Sequence, residues 1–371
     1  MSGTVVITGA AGAVGRRVVA LVAADPEVDT VVAIDRPGQR REPRDVKVAS
    51  TREAPLTIEQ VTIDLTDPDL KQWLEGAAAV VHLGLHRGDD HAAEALDGTG
   101  RVAGDLPGAR ALLDACADAG VRSVVVLSSA LVYGAWPNNP VPLTEDAPLR
   151  PDASLPYVIE LAEIERLAGE LRERRSGSAD TEVTVAILRP TVAVDRDSGP
   201  WLARSPWSTV GVQVHDADPP MQYLHLDDLA AAIDLARREH LDGPFNVAPD
   251  GWMSPDQRKA LAAPGPRVHL PAPVAERVAA FRWKFGLART PPSVLAYTIN
   301  SWVISNDRLT AAGWRPGHSN EEAYVEADPG GPLANLNPKR RQLLAFGVVG
   351  GVAVGAVAAL ALLLRRRRRR A

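Results

Sequence analysis

The chain alternates between short runs of apolar, often β-branched residues and longer stretches in which apolar side chains recur with helical spacing. The apolar runs are residues 4–9, 30–35, 61–65, 78–84, 123–129 and 183–190. A helical pattern separates the first two runs, and its apolar face consists of Val14, Val18, Leu21 and Val22. Nearly continuous apolar runs indicate strands that are buried on both faces of a parallel sheet. The pattern therefore predicts an α/β fold with a doubly wound parallel Rossmann sheet.

The second half of the chain predicts one clear helix and two less regular stretches. Residues 36–58, rich in Arg, Pro and Glu, are predicted to form a surface loop, and residues 195–220 are predicted to be irregular. Residues 224–238 predict an amphipathic helix with Asp227 or Asp228 as its N-cap. The predicted buried face of this helix consists of Leu229, Ile233 and Ala236.

The C-terminal part of the chain predicts membrane attachment. After a linker at 327–342, rich in Gly, Pro and Asn, residues 343–364 are 22 consecutive positions without a charged or polar side chain. A helix of this length, at about 1.5 Å per residue, crosses a hydrocarbon core of about 30 Å. Basic residues flank the segment at 339–341 and 365–370, as is typical of membrane interfaces. We therefore expect a C-terminal transmembrane helix with a poly-Arg tail at 365–371, while a soluble helix and a shallow re-entrant helix stay open.

Composition restricts the cellular setting and the partners of this protein. The single cysteine, Cys116, excludes an internal disulfide, and the first residues contain no apolar signal core, so we expect the body in the cytoplasm. Nine of the 41 basic residues lie beyond residue 338, so that the first 338 residues carry 46 acidic and 32 basic side chains, a net charge of −14. An acidic body argues against nucleic acid as a partner.

A glycine-rich turn lies where the first predicted strand meets the first predicted helix. In the stretch TGAAGAVG, Gly9 permits a tight turn, Gly12 allows the backbone to approach a pyrophosphate, and Gly15 allows the helix to pack close to the sheet. The first helical residues, Ala13, Val14 and Gly15, offer backbone N–H groups to an anion. The turn therefore predicts a dinucleotide site.

An acidic residue ends the second predicted strand, as a dinucleotide site requires. Asp35 follows Gly15 by 20 positions, and a carboxylate there accepts hydrogen bonds from both ribose hydroxyls and repels a 2′-phosphate. The sequence therefore predicts NAD rather than NADP as cofactor. Arg36, next to this carboxylate, weakens the predicted preference.

Together these stretches resemble the extended short-chain dehydrogenase/reductases, also called the NAD-dependent epimerase/dehydratase family. The matching motifs are TGxxGxxG at 8–15, DL at 64–65, HLG at 82–84, SSALVYG at 128–134, PLTEDAPLRP at 142–151, LRP at 188–190, LHLDD at 224–228 and FNVA at 245–248. The resemblance implies an NAD-binding Rossmann domain at 1–190. It also implies a smaller substrate-binding part at 191–326, with strand and helix elements that return to the sheet.

The resemblance implies further cofactor contacts. Asp64 would bond the adenine amino group, and Leu65 would line the cofactor, as would Leu83, Gly84 and Pro190 at the ends of later strands. No metal is implied, since the family needs none. His82, His86 and His91 are interpreted as a strand end and a polar loop rather than as metal ligands.

The resemblance also implies two catalytic residues, Ser129 as the active-site hydroxyl and Tyr157 as the general acid/base. The family usually has a lysine four residues after the tyrosine, where it lowers the tyrosine pKa and holds the nicotinamide ribose. That position is Leu161 here. The helix is therefore either an active-site helix that lacks its cation or a core helix that carries a tyrosine, and an arginine from elsewhere could replace the lysine.

Two interpretations of the function follow. The first is an NAD-dependent oxidoreductase or epimerase that acts at the membrane on a hydroxyl-bearing metabolite, either free or lipid-linked. The second is a catalytically degenerate NAD(H)-binding structural or sensor protein, which Leu161 and Met221 favour. Relatives that act on nucleotide sugars often have an arginine at the position of Met221, where it grips the diphosphate. A homodimer stays open as a further partner.

Overall fold

The computed structural model describes residues 3–37, 56–83, 106–176, 183–195, 211–214, 217–261, 267–285 and 292–327. The strands are β1 Gly3–Thr8, β2 Val28–Asp35, β3 Thr57–Thr62, β4 Ala77–His82, β5 Ser123–Leu127, β6 Thr184–Pro190, β7 Val192–Val194, β8 Gly211–Val214, β9 Tyr223–His225, β10 Gly243–Val247 and β11 Arg267–Leu270. The α-helices are α1 Ala13–Ala24, α2 Leu70–Leu74, α3 Leu106–Ala119, α4 Pro156–Ser176, α5 Leu226–Arg238, α6 Pro255–Leu261, α7 Ala272–Lys284, α8 Ala296–Ile299, α9 Asp307–Ala311 and α10 Asn320–Ala327.

Seven parallel strands form the central sheet, in the order β10-β6-β5-β4-β1-β2-β3. The strand order reverses between β1 and β4, so the carboxyl ends of these two strands border the crevice in which such sheets bind ligands. The prediction of an α/β fold with a parallel Rossmann-like sheet is confirmed. Strand β10 comes from beyond residue 190 and pairs with β6, so both parts of the chain contribute to this sheet.

Helices cover both faces of the sheet, as the continuous apolar runs predict. Side chains of α1 and α5 form one core cluster with one face, and side chains of α2, α3 and α4 form a second cluster with the other face. Three of the four residues predicted to be buried in α1 are buried, but Leu21 is 38% exposed. Leu21 lies at the edge of the buried arc because α1 also packs against α5, which shifts the buried side toward Val19 and Ala23.

The third strand departs from its predicted position. An apolar run predicts a strand at 61–65, whereas β3 covers Thr57–Thr62. Strand β3 lies at the edge of the sheet, and Val61 is its one fully buried side chain. Because the remaining side chains of an edge strand can be polar, the apolar signal marks only the end of β3.

The start of α5 also differs from the prediction. His225, not Asp227 or Asp228, is the N-cap residue, and its Nδ1 accepts a hydrogen bond from the Asp227 N–H at 3.2 Å. Asp228 is buried and accepts hydrogen bonds from two backbone N–H groups, those of Gly317 and His318. The predicted buried face of α5 is confirmed, since Leu229, Ile233 and Ala236 are fully buried.

No helix within the described ranges is long and apolar enough to cross a membrane. The predicted transmembrane segment at 343–364, the tail at 365–371 and the linker beyond Ala327 lie outside those ranges.

Candidate cofactor and active site

The turn between β1 and α1 needs glycine at two positions. Gly9 has a φ of 76°, and a Cβ atom there would lie 3.2 Å from the backbone of Leu83. A Cβ atom at Gly15 would lie 2.2 Å from the carbonyl oxygen of Gly9, which is closer than any side chain tolerates. Glycine at both positions therefore allows the turn to close and α1 to start directly against the strand end.

The first turn of α1 can bind an anion. Gly12 is the N-cap residue, in an extended conformation, and has no side chain to cap the helix. The first N–H groups of an α-helix have no partner within the helix. The N–H groups of Ala13, Val14 and Gly15 are therefore the donors that a pyrophosphate would meet at the end of β1.

Asp35 lies at the end of β2 beside this turn. Its side chain is buried, and Oδ1 accepts a hydrogen bond from the Ala11 N–H at 2.9 Å. The carboxylate thus fixes the glycine-rich turn and lies on the side of the cradle where a ribose would bind. The cradle fits NAD, because it offers backbone donors for the pyrophosphate and a carboxylate for the ribose hydroxyls.

A buried polar pair joins the ends of β1 and β4. Oγ1 of Thr8 and Nδ1 of His82 are 2.8 Å apart, and both side chains are buried. Burial, reinforced by the charge of Arg36, lowers the pKa of His82 to about 4, so the imidazole is neutral at pH 7. The sequence assigns residues 82–84 to the cofactor site without revealing this pair, because the two residues are 74 positions apart.

The other predicted cofactor residues follow the ends of β3 and β4. Leu83 is buried and donates its N–H to the Thr8 carbonyl, whereas Gly84 lies outside the described residues. Asp64 is exposed, and hydrogen bonds from the hydroxyl and N–H of Thr66 lower the pKa of its carboxyl group. Leu65 is buried in the core cluster of α2, α3 and α4.

Two candidate residues lie at the carboxyl ends of β6 and β5, on the other side of the reversal in strand order. Pro190 is the last residue of β6, is buried, and pairs in register with Val247 of β10. Ser129 follows β5 directly and is half-buried. Its Oγ accepts a hydrogen bond from the Leu131 N–H at 3.3 Å and so caps a 3₁₀ turn at Ala130–Tyr133. An acceptor role in the cap leaves the hydroxyl hydrogen of Ser129 for a ligand.

Tyr157 is the second residue of α4. It is half-buried and packs against two core clusters. One is the cluster of α2, α3 and α4 with the sheet, and the other contains Tyr133 and Tyr297. Burial, and then the nearby charge of Glu160, raises the pKa of Tyr157 above its ordinary value. This is the opposite of the effect that the family's lysine has on its tyrosine.

Leu161 occupies the lysine position as a core residue. Its side chain is fully buried among the apolar residues of α2, α3, α4 and the sheet. One turn further along the same side of α4, Glu165 is also buried. On the side of α4 that carries Tyr157, the next two turns therefore present Leu161 and Glu165 to the core, and neither supplies a positive charge.

A buried ion pair lies beneath this face. Arg189 of β6 donates hydrogen bonds to Glu165 from Nη2 at 2.7 Å and from Nε at 3.0 Å. The hydroxyl of Ser128 donates to Oε1 of Glu165, and Nη1 of Arg189 donates to the Tyr133 hydroxyl at 2.8 Å. Tyr133 in turn donates to Asn246 of β10. Arg189 therefore has Glu165 and Tyr133 as partners. The motifs LRP and SSALVYG contain Arg189, Ser128 and Tyr133, so they are the signal in the sequence that marks three members of this network.

The family is decided by a direct match. Residues 5–194, just over half of the chain, match the model of the NAD dependent epimerase/dehydratase family. The chain belongs to this family. The predicted cofactor, NAD, is confirmed at the level of the family, while the individual site residues stay predictions.

Two curated relatives share 27% and 30% of their residues with this chain over the matched regions. The chain is 27% identical over 280 residues to an uncharacterized protein of Mycobacterium tuberculosis, a match that covers 72% of this chain and 67% of the relative. It is 30% identical over 227 residues to a 3-diazoavenalumate denitrifying reductase of a Streptomyces species, a match that covers 56% of this chain and 65% of the relative.

Solved structures share the fold. A UDP-N-acetylglucosamine 4-epimerase of Methanobrevibacter ruminantium, in complex with UDP-N-acetylmuramic acid, aligns with a TM-score of 0.62 and 19% identity over 88% of this chain and 97% of the epimerase. A dTDP-glucose 4,6-dehydratase of Streptomyces venezuelae with bound NAD aligns with a TM-score of 0.61 and 19% identity over 87% of this chain and 95% of the dehydratase. At 19% identity, these similarities establish a shared fold and nothing further.

Met221 is part of the core in this member of the family. Its side chain is buried, and its backbone exchanges two hydrogen bonds with Met253, at 3.1 and 2.8 Å. A thioether in this place offers no charge to a diphosphate. The family's arginine is therefore replaced here by a buried methionine, which joins the segments of Met221 and Met253 in the smaller part of the chain.

A histidine pair that the sequence did not single out lies at the start of α5. His225, Asp227 and His318 each have one atom that could bind a metal, and these three atoms lie within 4.8 Å of one another. The imidazoles are stacked, with centroids 3.9 Å apart and planes 26° apart, and Asp227 is paired with Arg17. Nearly parallel rings do not direct their in-plane lone pairs at one point, so this arrangement does not form a metal site as it stands.

Proposed function

We propose that this protein is an NAD-dependent oxidoreductase or epimerase that acts on a small hydroxyl-bearing metabolite. The observation that carries the proposal is the cradle at the strand reversal, where Asp35 and the first turn of α1 offer the two groups that an NAD molecule needs. Nucleotide sugars are the first substrate class to test, because the epimerases and dehydratases that share the fold are described with such compounds. The absence of an arginine at Met221 argues for a substrate held without that contact.

When bound, NAD would supply or accept a hydride. In our proposal Ser129 donates its hydroxyl hydrogen to the reacting substrate oxygen, and Tyr157 donates a proton to that oxygen. A tyrosine phenol is protonated at neutral pH, and the raised pKa of Tyr157 further disfavours the phenolate that would be needed to remove a proton from an alcohol, so the site suits reduction better than oxidation. The curated relative named as a reductase supports this direction.

The test uses the full chain with NADH and a panel of nucleotide sugars and small carbonyl compounds, followed by absorbance at 340 nm. We expect Tyr157→Phe to lower turnover by about 10²-fold or more, the usual contribution of a general acid, with NADH binding retained. Tyr324→Phe, a half-buried tyrosine of α10, is the matched control and should keep full turnover. Unchanged turnover in Tyr157→Phe would refute the assigned role.

The second candidate function is a catalytically degenerate NAD(H)-binding structural or sensor protein. It is favoured by Leu161, which fills the lysine position with a core side chain, and by the raised pKa of Tyr157. This candidate predicts that NADH binds and protects the chain against unfolding, while Tyr157→Phe alters only stability. Turnover of any panel compound that Tyr157→Phe abolishes would exclude it.

We further propose that residues 343–364 anchor the protein in a membrane with its body in the cytoplasm. The support is the length of the uncharged segment and its basic flanks. Six arginines beyond the segment favour a re-entrant helix, because such residues normally stay on the cytoplasmic side. Full-length protein that carbonate releases from membranes would refute the anchor. A thiol introduced by Ala371→Cys that is labelled only after permeabilisation would refute the spanning arrangement alone, since Cys116 is buried.

A further inference from the structure

Helix α7 presents large apolar side chains to solvent. Phe281 is 57% exposed, Phe285 at the C-cap is 59% exposed, and Val274 is 41% exposed. The two phenylalanine rings contact each other, with centroids 4.6 Å apart. Exposed aromatic residues that cluster in this way mark a binding surface more often than isolated apolar residues do.

These side chains lie on one side of the helix. An α-helix advances about 100° per residue, so four apolar positions fall within an arc of about 60°. We call these four residues the α7 stripe: Val274, Val278, Phe281 and Phe285. Ala275, which is buried, and Trp283, which is half-buried, lie about 100° to 180° from Val274 and face the protein. The stripe is therefore a separate face from the one that packs on the fold.

Basic residues lie along both edges of the α7 stripe. Arg277 and Lys284 lie about 60° to 80° from Val274 on one side, and Arg282 lies about 80° from it on the other. Glu276, the one acidic residue of the helix, lies about 160° away from Val274. The helix is thus locally positive on a body whose first 338 residues carry a net charge of −14.

We infer that the α7 stripe docks on the surface of a membrane that contains anionic lipids. An aromatic face with basic side chains along its edge is the arrangement of helices that lie in the membrane interface. Anionic headgroups complement Arg277 and Lys284, which are both exposed. A second copy docked through the same face would bring like charges together. The apolar segment at 343–364 of the same chain carries nine basic neighbours, so it complements the stripe poorly.

A linker separates the described body from the apolar segment. Residues 328–342 separate the last described residue from the apolar segment, and 15 residues span up to about 50 Å when extended. Docking of α7 would add an electrostatic, lipid-dependent contact to an attachment that is otherwise apolar. The inference is independent of the proposed reaction, since it uses no residue of the cofactor site.

The experiment places a polarity-sensitive fluorophore on the stripe in the full chain. Phe281→Cys is labelled with NBD, the buried Cys116 being inaccessible, and the protein is mixed with vesicles of phosphatidylcholine alone or with about one third phosphatidylglycerol, both containing spin-labelled lipid. Leu21→Cys on α1, 38% exposed, is the matched control. We expect a blue shift and at least a twofold quench at position 281 on anionic vesicles, with little change at position 21.

Charge reversal tests the basic edges. In the Phe281→Cys protein, Arg277→Glu with Lys284→Glu should remove most of the quench, as should 0.5 M salt, because both act on the electrostatic contact. Flotation of the same samples measures vesicle attachment separately, so a failed anchor and a failed stripe are distinguished. Equal quench at positions 281 and 21, or equal quench on neutral vesicles, would overturn the inference. Spectral change that depends on protein concentration without lipid would also overturn it, in favour of a second copy.

Discussion

Replacing Glu165 with glutamine should destabilise the fold far more than the same change at a partly exposed position of the same helix. The Glu165 and Arg189 side chains are 3% and 7% exposed, and two hydrogen bonds at 2.7 and 3.0 Å join them. Glutamine has nearly the same shape but no charge, so Glu165→Gln would leave the Arg189 guanidinium buried without a counter-charge. The Tyr133 hydroxyl and the Tyr133 ring, 5.1 Å away, offset little of that cost.

The expected magnitude follows from this burial. Removing one partner of a buried ion pair lowers the free energy of unfolding by about 3–5 kcal/mol. Glu163, two residues earlier on α4, pairs with Arg166, and these side chains are 34% and 49% exposed. Water and salt screen such a pair, so Glu163→Gln should cost about 1 kcal/mol or less. Both variants carry the same change, glutamate to glutamine, so the comparison isolates the effect of burial.

The assay is urea unfolding of the full chain in mild detergent, followed by tryptophan fluorescence. A further variant, Glu165→Leu with Arg189→Met, removes both charges and should recover much of the stability, because an apolar pair of similar volume needs no counter-charge. The reasoning is refuted if Glu165→Gln loses no more stability than Glu163→Gln. It is also refuted if the double variant is less stable than Glu165→Gln.

Three other results are expected. NADH should bind more tightly than NADPH, and Asp35→Ala should narrow the difference in titrations of both cofactors; equal binding to the unmutated chain would contradict the assignment. Because the folded-state pKa of His82 is about 4 against an ordinary 6.5, the unfolded chain takes up the proton first. Stability should therefore fall by about 3 kcal/mol as pH drops from 6.5 to 4, and His82→Gln should flatten the dependence of Tm on pH. Leu161→Lys should lower the stability by about 3 kcal/mol or more, whereas Leu161→Met should cost less than about 1.5 kcal/mol; an unchanged Tm in Leu161→Lys would show that the site accommodates a cation.

The sequence alone determined the central sheet and the glycine-rich turn. The apolar runs that become β1, β2, β4, β5 and β6 are short-range patterns, and a strand buried on both faces must be apolar along its whole length. Gly9 and Gly15 are recognisable for the same reason, since a tight turn and a close helix leave no room for a Cβ atom. Edge strand β3 shows where this signal weakens, because one buried residue, Val61, cannot define its limits.

Only the tertiary structure decided the chemistry around Tyr157. Its pKa depends on burial and on Glu160, and Leu161 is a core residue only because α2, α3 and the sheet close over it. Glu165 and Arg189 are 24 residues apart in sequence, and nothing local marks either as half of a buried pair. Desolvation and charge pairing depend on which distant segments come together, whereas periodicity and turn geometry depend on neighbouring residues. The family was therefore readable from the chain, and the environment of its tyrosine was not.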